Sequence, residues 1–385
     1  MAGVTSRAGV RPLTAPVRAV RLGSLDNMAA CGDAVSAGQE PAATDPLVAP
    51  RRFADLADRA GLADRTLTAD RAVSADRASL AGVDDAAQPG AGETATLRIG
   101  LADRAALTAE LEAVAFRGWP PLRAEPLDGW VLRDSAGATR RGNSVWAHGD
   151  VADLPAAIAE TERFYARAGR PPTFQLTPVS NPEGLDDALD AAGYDADSGP
   201  TDVCVVDLAA LLAGAAGIAE CAADRTGTHQ REAVLTRQGG TPDDSWLDVG
   251  AAGGMTMFGP LRPASVAILS RITLPVTYVT ATLGGEPVGV GRGVVDGDWL
   301  GIYSMATLPA ARRRGAATAV LAALARWSAG LGARRAYLQV EQHSVAARRI
   351  YAALGFRPVY RYTYRRRLPT SVPTPVPVPS PVRPA

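Results

Sequence analysis

Met305-Ala-Thr-Leu-Pro-Ala-Ala-Arg-Arg-Arg-Gly-Ala-Ala-Thr318 decides how the C-terminal part of this chain is built. The stretch reads as a strand that stops at Pro309, crosses an Arg/Gly turn and enters a helix. Val320, Leu321, Leu324 and Trp327 then recur at three-and-four spacing. A helix begun at such a turn leaves its first N–H groups without intrahelical acceptors, and they point along the dipole at any anion set before them. Gly315 has no Cβ, so a phosphate can come close to the chain. The order Arg312, Gly315, Ala317 is neither the GxGxxG of dinucleotide sites nor the GxxxxGK[ST] of P-loops. Alone, a six-residue Arg/Gly pattern in an arginine-rich chain reads about equally well as a solvated helix start.

The next forty residues shift that balance. Gly330 and Gly332 signal the helix end, and Ala336-Tyr-Leu-Gln-Val340 reads as a short buried strand. A second helix is expected from about Val345 to Ala353, closing with Leu354-Gly355-Phe356. Together the two segments resemble the paired signatures of the GNAT acetyltransferases. Arg312, Gly315 and Ala317 fall on the RxxGxA loop, and Ala347, Tyr351, Gly355 and Phe356 on the second signature. Ser344 stands where the family has Asn, and serine still caps a helix.

The chain also has two halves alike in outline. The second runs strand (Val276 to Leu283), strand (Val288 to Val295), strand (Trp299 to Met305), then loop, helix, strand and helix. The first has strand-like Gly129 to Arg133 and Asn143 to Ala147, a helix from Leu154 to Ala168, then Phe174-Gln-Leu176 and a helix ending at Gly193-Tyr194. Phe174-Gln-Leu176 echoes Leu338-Gln-Val340, and Gly193-Tyr194 echoes Gly355-Phe356. The first half lacks the loop: His148-Gly-Asp-Val-Ala-Asp153 stands in its place, and its aspartates would repel a phosphate. Asp128-Gly-Trp-Val-Leu-Arg133, Arg140-Arg-Gly-Asn-Ser-Val-Trp146, Phe164-Tyr165 and Trp246-Leu247 resemble tandem GNAT proteins of high-GC bacteria over residues 96 to 367. Such proteins carry the label N-acetyltransferase, sometimes N-acetylglutamate-synthase-like. The expected architecture is α+β: tandem GNAT domains, each a mixed, mostly antiparallel sheet flanked by helices, with the first copy degenerate. The expected bounds are a low-complexity Ala/Asp/Arg tail over 1–95, the degenerate domain over 96–215, a linker over 216–235, the catalytic domain over 236–368 and a Pro-rich tail over 369–385.

Composition narrows the function. Forty basic and forty acidic residues cancel, which gives no general pull toward nucleic acid or anionic lipid. Every basic residue is Arg, so Schiff-base chemistry has no lysine to use. Cys31, Cys204 and Cys221 are scattered and form no ligand-like grouping with His148, His229 and His343, so neither a metal nor a disulfide framework is expected and a reduced cytoplasm is the default. No apolar run approaches the roughly 20 residues of a membrane helix.

The resemblance implies acetyl-CoA as co-substrate. The loop Arg312, Arg313, Arg314, Gly315, Ala316, Ala317 and Thr318 would hold its pyrophosphate, with Ser344 as a further contact. Backbone N–H groups of Met305 and Thr307 would bind pantetheine and the thioester oxygen, and Tyr351 would protonate the departing sulfur. A packing aromatic is the rival reading of Tyr351, and a solvated run that of the three arginines. Gln339 sits where some members place a basic Glu and cannot take a proton; Glu341, on the same strand face, is the nominated base, with His343, Asp298 or a water chain as alternatives. Asn143, Trp146, Gln175 and Gln339 are the candidates for acceptor contacts, with packing the rival role for Trp146. The leading expectation is an N-acetyltransferase acting on the primary amine of a small molecule or amino acid by direct attack, as monomer or homodimer. A non-catalytic acyl-CoA-binding protein and a peptide or protein N-terminal acetyltransferase are the alternatives.

Overall fold

The structure, a computed structural model, describes residues 101–224 and 233–368. The tails expected over 1–95 and 369–385 lie outside the described residues. The first half comprises α1 (Leu101–Gly118), β1 (Arg123–Leu127), β2 (Trp130–Asp134), β3 (Val145–Ala147), α2 (Leu154–Arg167), β4 (Thr173–Leu176), α3 (Leu185–Ala191) and β5 (Asp195–Asp207). Then come α4 (Leu208–Asp224), β6 (Leu235–Gly239), α5 (Asp244–Ala252), α6 (Arg262–Leu269), β7 (Val276–Leu283), β8 (Glu286–Asp296) and β9 (Trp299–Thr307). The chain closes with α7 (Ala316–Ala329), β10 (Arg335–Glu341), α8 (Val345–Ala353) and β11 (Arg357–Arg366). Helix α4 runs through Asp224, into the stretch expected as the linker, where a Leu/Ala-rich sequence favours helix.

All eleven strands form one mixed sheet in the order β1-β2-β3-β4-β11-β5-β10-β9-β8-β7-β6. Only β3·β4 and β9·β10 pair in parallel. The two halves therefore share a sheet by exchanging strands. The long β5 of the first half lies between β10 and β11, and β11 in turn reaches β4. Asp202 on β5 helps fasten this seam, taking a hydrogen bond from Arg361 Nε on β11 at 2.8 Å and lying 3.4 Å from Arg348 Nη2 of α8.

Helix α7 carries the loop, and glycine sets its position. Gly289, Gly291 and Gly293 alternate along one face of β8, opposite Ala316, Val320 and Leu324 of α7. Ideal Cβ atoms at these glycines would lie 3.3 Å from Ala316 Cβ, 2.5 Å from Val320 Cγ1 and 3.0 Å from Leu324 Cδ2. Two residues of strand rise about as far as four residues of helix, so bare backbone and helix stripe stay in register for the length of the contact. Val320, Leu321 and Leu324 are fully buried there.

Helix α2 of the first half starts differently. Asp153 caps it, its Oδ1 accepting the Ala156 N–H at 2.9 Å. The segment that stands in place of the Arg/Gly loop thus brings its own carboxylate to the helix N-terminus.

Candidate active site

Strands β9 and β10 separate part-way along. They pair only over Trp299–Ile302 and Arg335–Leu338, so Tyr303 to Thr307 and Gln339 to Glu341 have no partner across the gap. On its other edge β9 carries a bulge: Val290 and Arg292 of β8 face Ala306 and Tyr303, which leaves β9 one extra residue, and Ser304 adopts a φ of 52°. Splay and bulge open a cavity of 690 Å³. One wall is Ile302–Met305 and Leu338–Glu341, and another is Ser344, Ala347 and Tyr351 of α8. The segment Gly254–Met257, with Leu261, forms a third. Thr201, Tyr362 and Tyr364 from the exchanged strands and the loop Gly137–Arg141 of the first half complete the lining.

Where β9 ends, Arg312 Nε reaches back to the Thr307 carbonyl at 3.4 Å, and Arg313 and Gly315 turn left-handed, with φ of 62° and 93°. Gly315 is the N-cap of α7 and supplies no side-chain cap, so the first-turn amides of the helix are not claimed by one. A Cβ at Gly315 would meet nothing nearer than Val234 Cγ2 at 4.0 Å; dihedral angle, not crowding, makes glycine the residue for this position. Arg312, Arg313, Arg314 and Gly315 are exposed, Ala316 is buried, and Ala317 and Thr318 are half-buried. An uncapped helix start behind a left-handed turn suits a phosphate, and the unpaired edge of β9 suits an extended, amide-bearing arm. Of the residues nominated for the coenzyme, Met305 and Ser344 line the cavity; Thr307 and the loop lie beyond its lining.

Tyr351 lines the cavity with its ring 5.8 Å from that of Phe356, edge to face. Its hydroxyl has no hydrogen-bond partner among the described residues, and burial pushes its pKa up to about 12, the nearby Cys204 thiol adding to the shift. The Cys204 thiol is itself raised to about 11 by burial and then by the Asp202 carboxylate. Glu341 also lines the cavity. Its Oε1 pairs with the Arg140 guanidinium and its Oε2 lies 3.2 Å from His343 Nε2, so both oxygens are engaged. Gln339 Oε1 accepts the Tyr362 hydroxyl at 2.9 Å, while Gln339 Nε2 is buried with no partner among the described residues.

The structure does not bring Asn143, Trp146 or Gln175 to this cavity. Asn143 shapes the loop next to it: its Oδ1 accepts the N–H groups of Ser135 and Gly137, each at 2.9 Å, and its Nδ2 donates to the Thr139 carbonyl at 2.6 Å. Trp146 is buried between Phe116 and His148, with ring centroids 5.1 and 4.3 Å away. Gln175 belongs to a buried chain, accepting from Arg133 Nη2 at 2.8 Å and donating to Glu112 Oε2 at 3.1 Å. Tyr360 gives its hydroxyl proton to the same carboxylate at 2.6 Å, and burial raises the Glu112 pKa. The first half reaches the cavity instead through Arg140 and Arg141. Arg141 Nη2 lies 3.4 Å from the Tyr362 hydroxyl, and its Nε is buried without a partner among the described residues. A further buried guanidinium, Arg292, stacks on Tyr303 at 4.2 Å and on Trp119 at 5.1 Å and donates to the Gly118 carbonyl at 3.0 Å.

The sequence profile of the family described as "Probable histone acetyltransferase Rv0428c C-terminal" matches residues 106–365, most of the chain and both halves of the sheet. The chain belongs to this acetyltransferase family. It is a GNAT-type N-acetyltransferase. A curated relative, the "Uncharacterized N-acetyltransferase YobR" of Bacillus subtilis strain 168, is 28% identical over 258 residues, covering 66% of this chain and 97% of the relative. Among solved structures, a GCN5-related N-acetyltransferase from Kribbella flavida superposes with a TM-score of 0.47 at 17% identity, over 68% of this chain and 95% of that one. A tandem GNAT protein from the clavulanic acid biosynthesis pathway gives a TM-score of 0.42 at 13% identity, over 56% and 70%. Among the described residues of this acetyltransferase no three His, Cys, Asp or Glu side chains gather as a metal site, and no helix is long and apolar enough to cross a membrane.

The sequence reading missed Arg141, Tyr303, Tyr362 and Tyr364 as cavity residues. One signal was available: Tyr360, Tyr362 and Tyr364 alternate at period two, and all three are buried on β11.

Proposed function

We propose that this N-acetyltransferase moves the acetyl group of acetyl-CoA to the primary amine of a small molecule or amino acid in a ternary complex. The observation that carries the reading is the run from the uncapped start of α7, along the unpaired edge of β9, to a tyrosine hydroxyl with no partner among the described residues. In this reading the amides and guanidinium groups of Arg312 to Thr318 hold the pyrophosphate. The N–H groups of Met305 and Thr307 bind the pantetheine arm and stabilise the thioester oxygen as charge grows on it. The amine nitrogen attacks the thioester carbon, the C–N bond forms and the C–S bond breaks. Tyr351, with a pKa up near 12 against about 8.5 for a thiol, stays protonated throughout and donates its O–H to the departing sulfur as a hydrogen bond. Glu341 is the sole carboxylate on the cavity lining among the described residues and receives the proton the amine sheds, directly or through water.

A second reading, transfer to a lysine side chain of a protein, is favoured by the wording of the family description. Free-thiol release from acetyl-CoA, measured against small amines, amino acids and lysine peptides, separates the two. Turnover with small acceptors supports the first. Turnover confined to peptides supports the second, and coenzyme binding with no turnover on any acceptor refutes both.

A further inference from the structure

The first half of the chain places an unbalanced positive charge at the cavity. Arg133 and Arg292 are buried and Arg141 is half-buried, and Glu112 is the carboxylate buried with them. Glu112 is already held by Tyr360 and Gln175, and Arg133 is spent on Ser144 and Gln175. Beside them the Arg140 charge is neutralised at Glu341. Arg292 lies off the cavity lining. Arg141 is left: it lines the cavity and forms no ion pair among the described residues. Its Nε and the Gln339 Nε2 are both buried donors with no acceptor among the described residues, and both residues meet at the Tyr362 hydroxyl, which lies 3.4 Å from Arg141 Nη2 and donates to Gln339 Oε1 at 2.9 Å. A half-buried guanidinium at a cavity wall with no anion beside it carries a desolvation cost, and a ligand that brings an acceptor of opposite charge relieves it.

We propose that the acceptor carries a carboxylate as well as its amine, and that Arg141 and Gln339 bind that carboxylate. The site thus selects amino acids, or other amines with a carboxylate close by, over neutral or purely cationic amines. Binding gives the Arg141 guanidinium the anion it lacks; a decarboxylated amine does not, and brings its own positive charge toward that guanidinium. The inference rests on the acetyltransferase reading above and adds the chemical class of the acceptor.

The test is a matched panel of α-amino acids, their carboxamides and the corresponding decarboxylated amines, assayed by thiol release with the full chain, alongside calorimetry with acetyl-CoA. The expected result is a kcat/KM for the free acids about 10- to 100-fold above that of their carboxamides. Arg141→Gln should collapse that ratio through KM for the acids, leave the carboxamides within about threefold and leave acetyl-CoA binding intact; Arg141→Lys should restore part of the preference. The wild-type panel decides the matter even if Arg141→Gln fails to fold. Carboxamides or decarboxylated amines turned over as well as the acids would overturn this inference and leave the acetyltransferase reading standing. Absence of acetyl-CoA binding would overturn both, as would binding with no turnover of any amine.

Discussion

Tyr351→Phe removes one oxygen and keeps the ring. The fold loses little, because the hydroxyl has no partner among the described residues and the ring's edge-to-face contact with Phe356 survives. Stability should stay within about 0.5 kcal/mol. The reaction loses the donor to a sulfur that is becoming a thiolate, a charge-assisted bond of about 2–3 kcal/mol, so kcat should fall about 30- to 150-fold. Because burial holds the hydroxyl pKa at about 12, Tyr351 should impose no alkaline fall on the wild-type rate between about pH 6 and about pH 9. The assay is thiol release at saturating acetyl-CoA and acceptor, paired with thermal melts of both proteins. A variant with kcat within twofold of wild type would refute the donor role. A drop in kcat that comes with a melting temperature lowered by many degrees would make Tyr351 a packing residue instead.

Three further changes probe the scaffold. Gly291→Ala puts a Cβ about where Met305 Sδ and Val320 Cγ1 already lie, each 2.5 Å away, and should cost about 1–3 kcal/mol and raise KM for acetyl-CoA, since both β9 and α7 must move; melts and kinetics check it. Asn143→Ala deletes three hydrogen bonds that hold the loop carrying Arg140 and Arg141, and should raise the acceptor KM several-fold with KM for acetyl-CoA unchanged. His148 is pressed to a pKa of about 3 by burial and then by Arg133, against about 6.5 unfolded. The fold therefore favours its neutral form, and this contribution is present above pH 6.5 and is lost as pH falls toward 3. The loss runs at up to about 1.4 kcal/mol per pH unit, so His148→Gln should flatten the acid limb of a denaturation series.

The elements around the loop were legible because each carries its own local signal. Val320, Leu321 and Leu324 give α7 its period, Pro309 and Gly315 bound the turn, and Gly355 closes α8, all within a few residues of the feature they specify. Strand β5 was not legible. Gly199-Pro200 interrupts it, and what makes it a strand is pairing on both sides with β10 and β11, segments more than a hundred residues away. The cavity's far wall was hidden for the same reason. Off the lining and behind that wall, Glu112 on α1 becomes a buried anchor only through the return of Tyr360 and the arrival of Gln175. Arg140-Arg141 carries no local signal for a site beyond its place in the family-like stretch; strand exchange covers it with Tyr362 and Tyr364 and turns it toward the site. Asn143, Trp146 and Gln175 would line a cleft facing the second half if their strands kept the GNAT arrangement. With β11 laid against β4, that edge is filled and these side chains became its internal bracing.

Isothermal titration of acetyl-CoA and free CoA into the full chain, with Gly315→Val beside it, tests the central claim that the turn before α7 grips a diphosphate. Binding with a dissociation constant on the order of micromolar is expected for the wild type, weakened at least about tenfold in the variant, because a β-branched residue resists the φ of 93° that presents the helix amides. No heat with either ligand, or equal affinity in the two proteins, would contradict it.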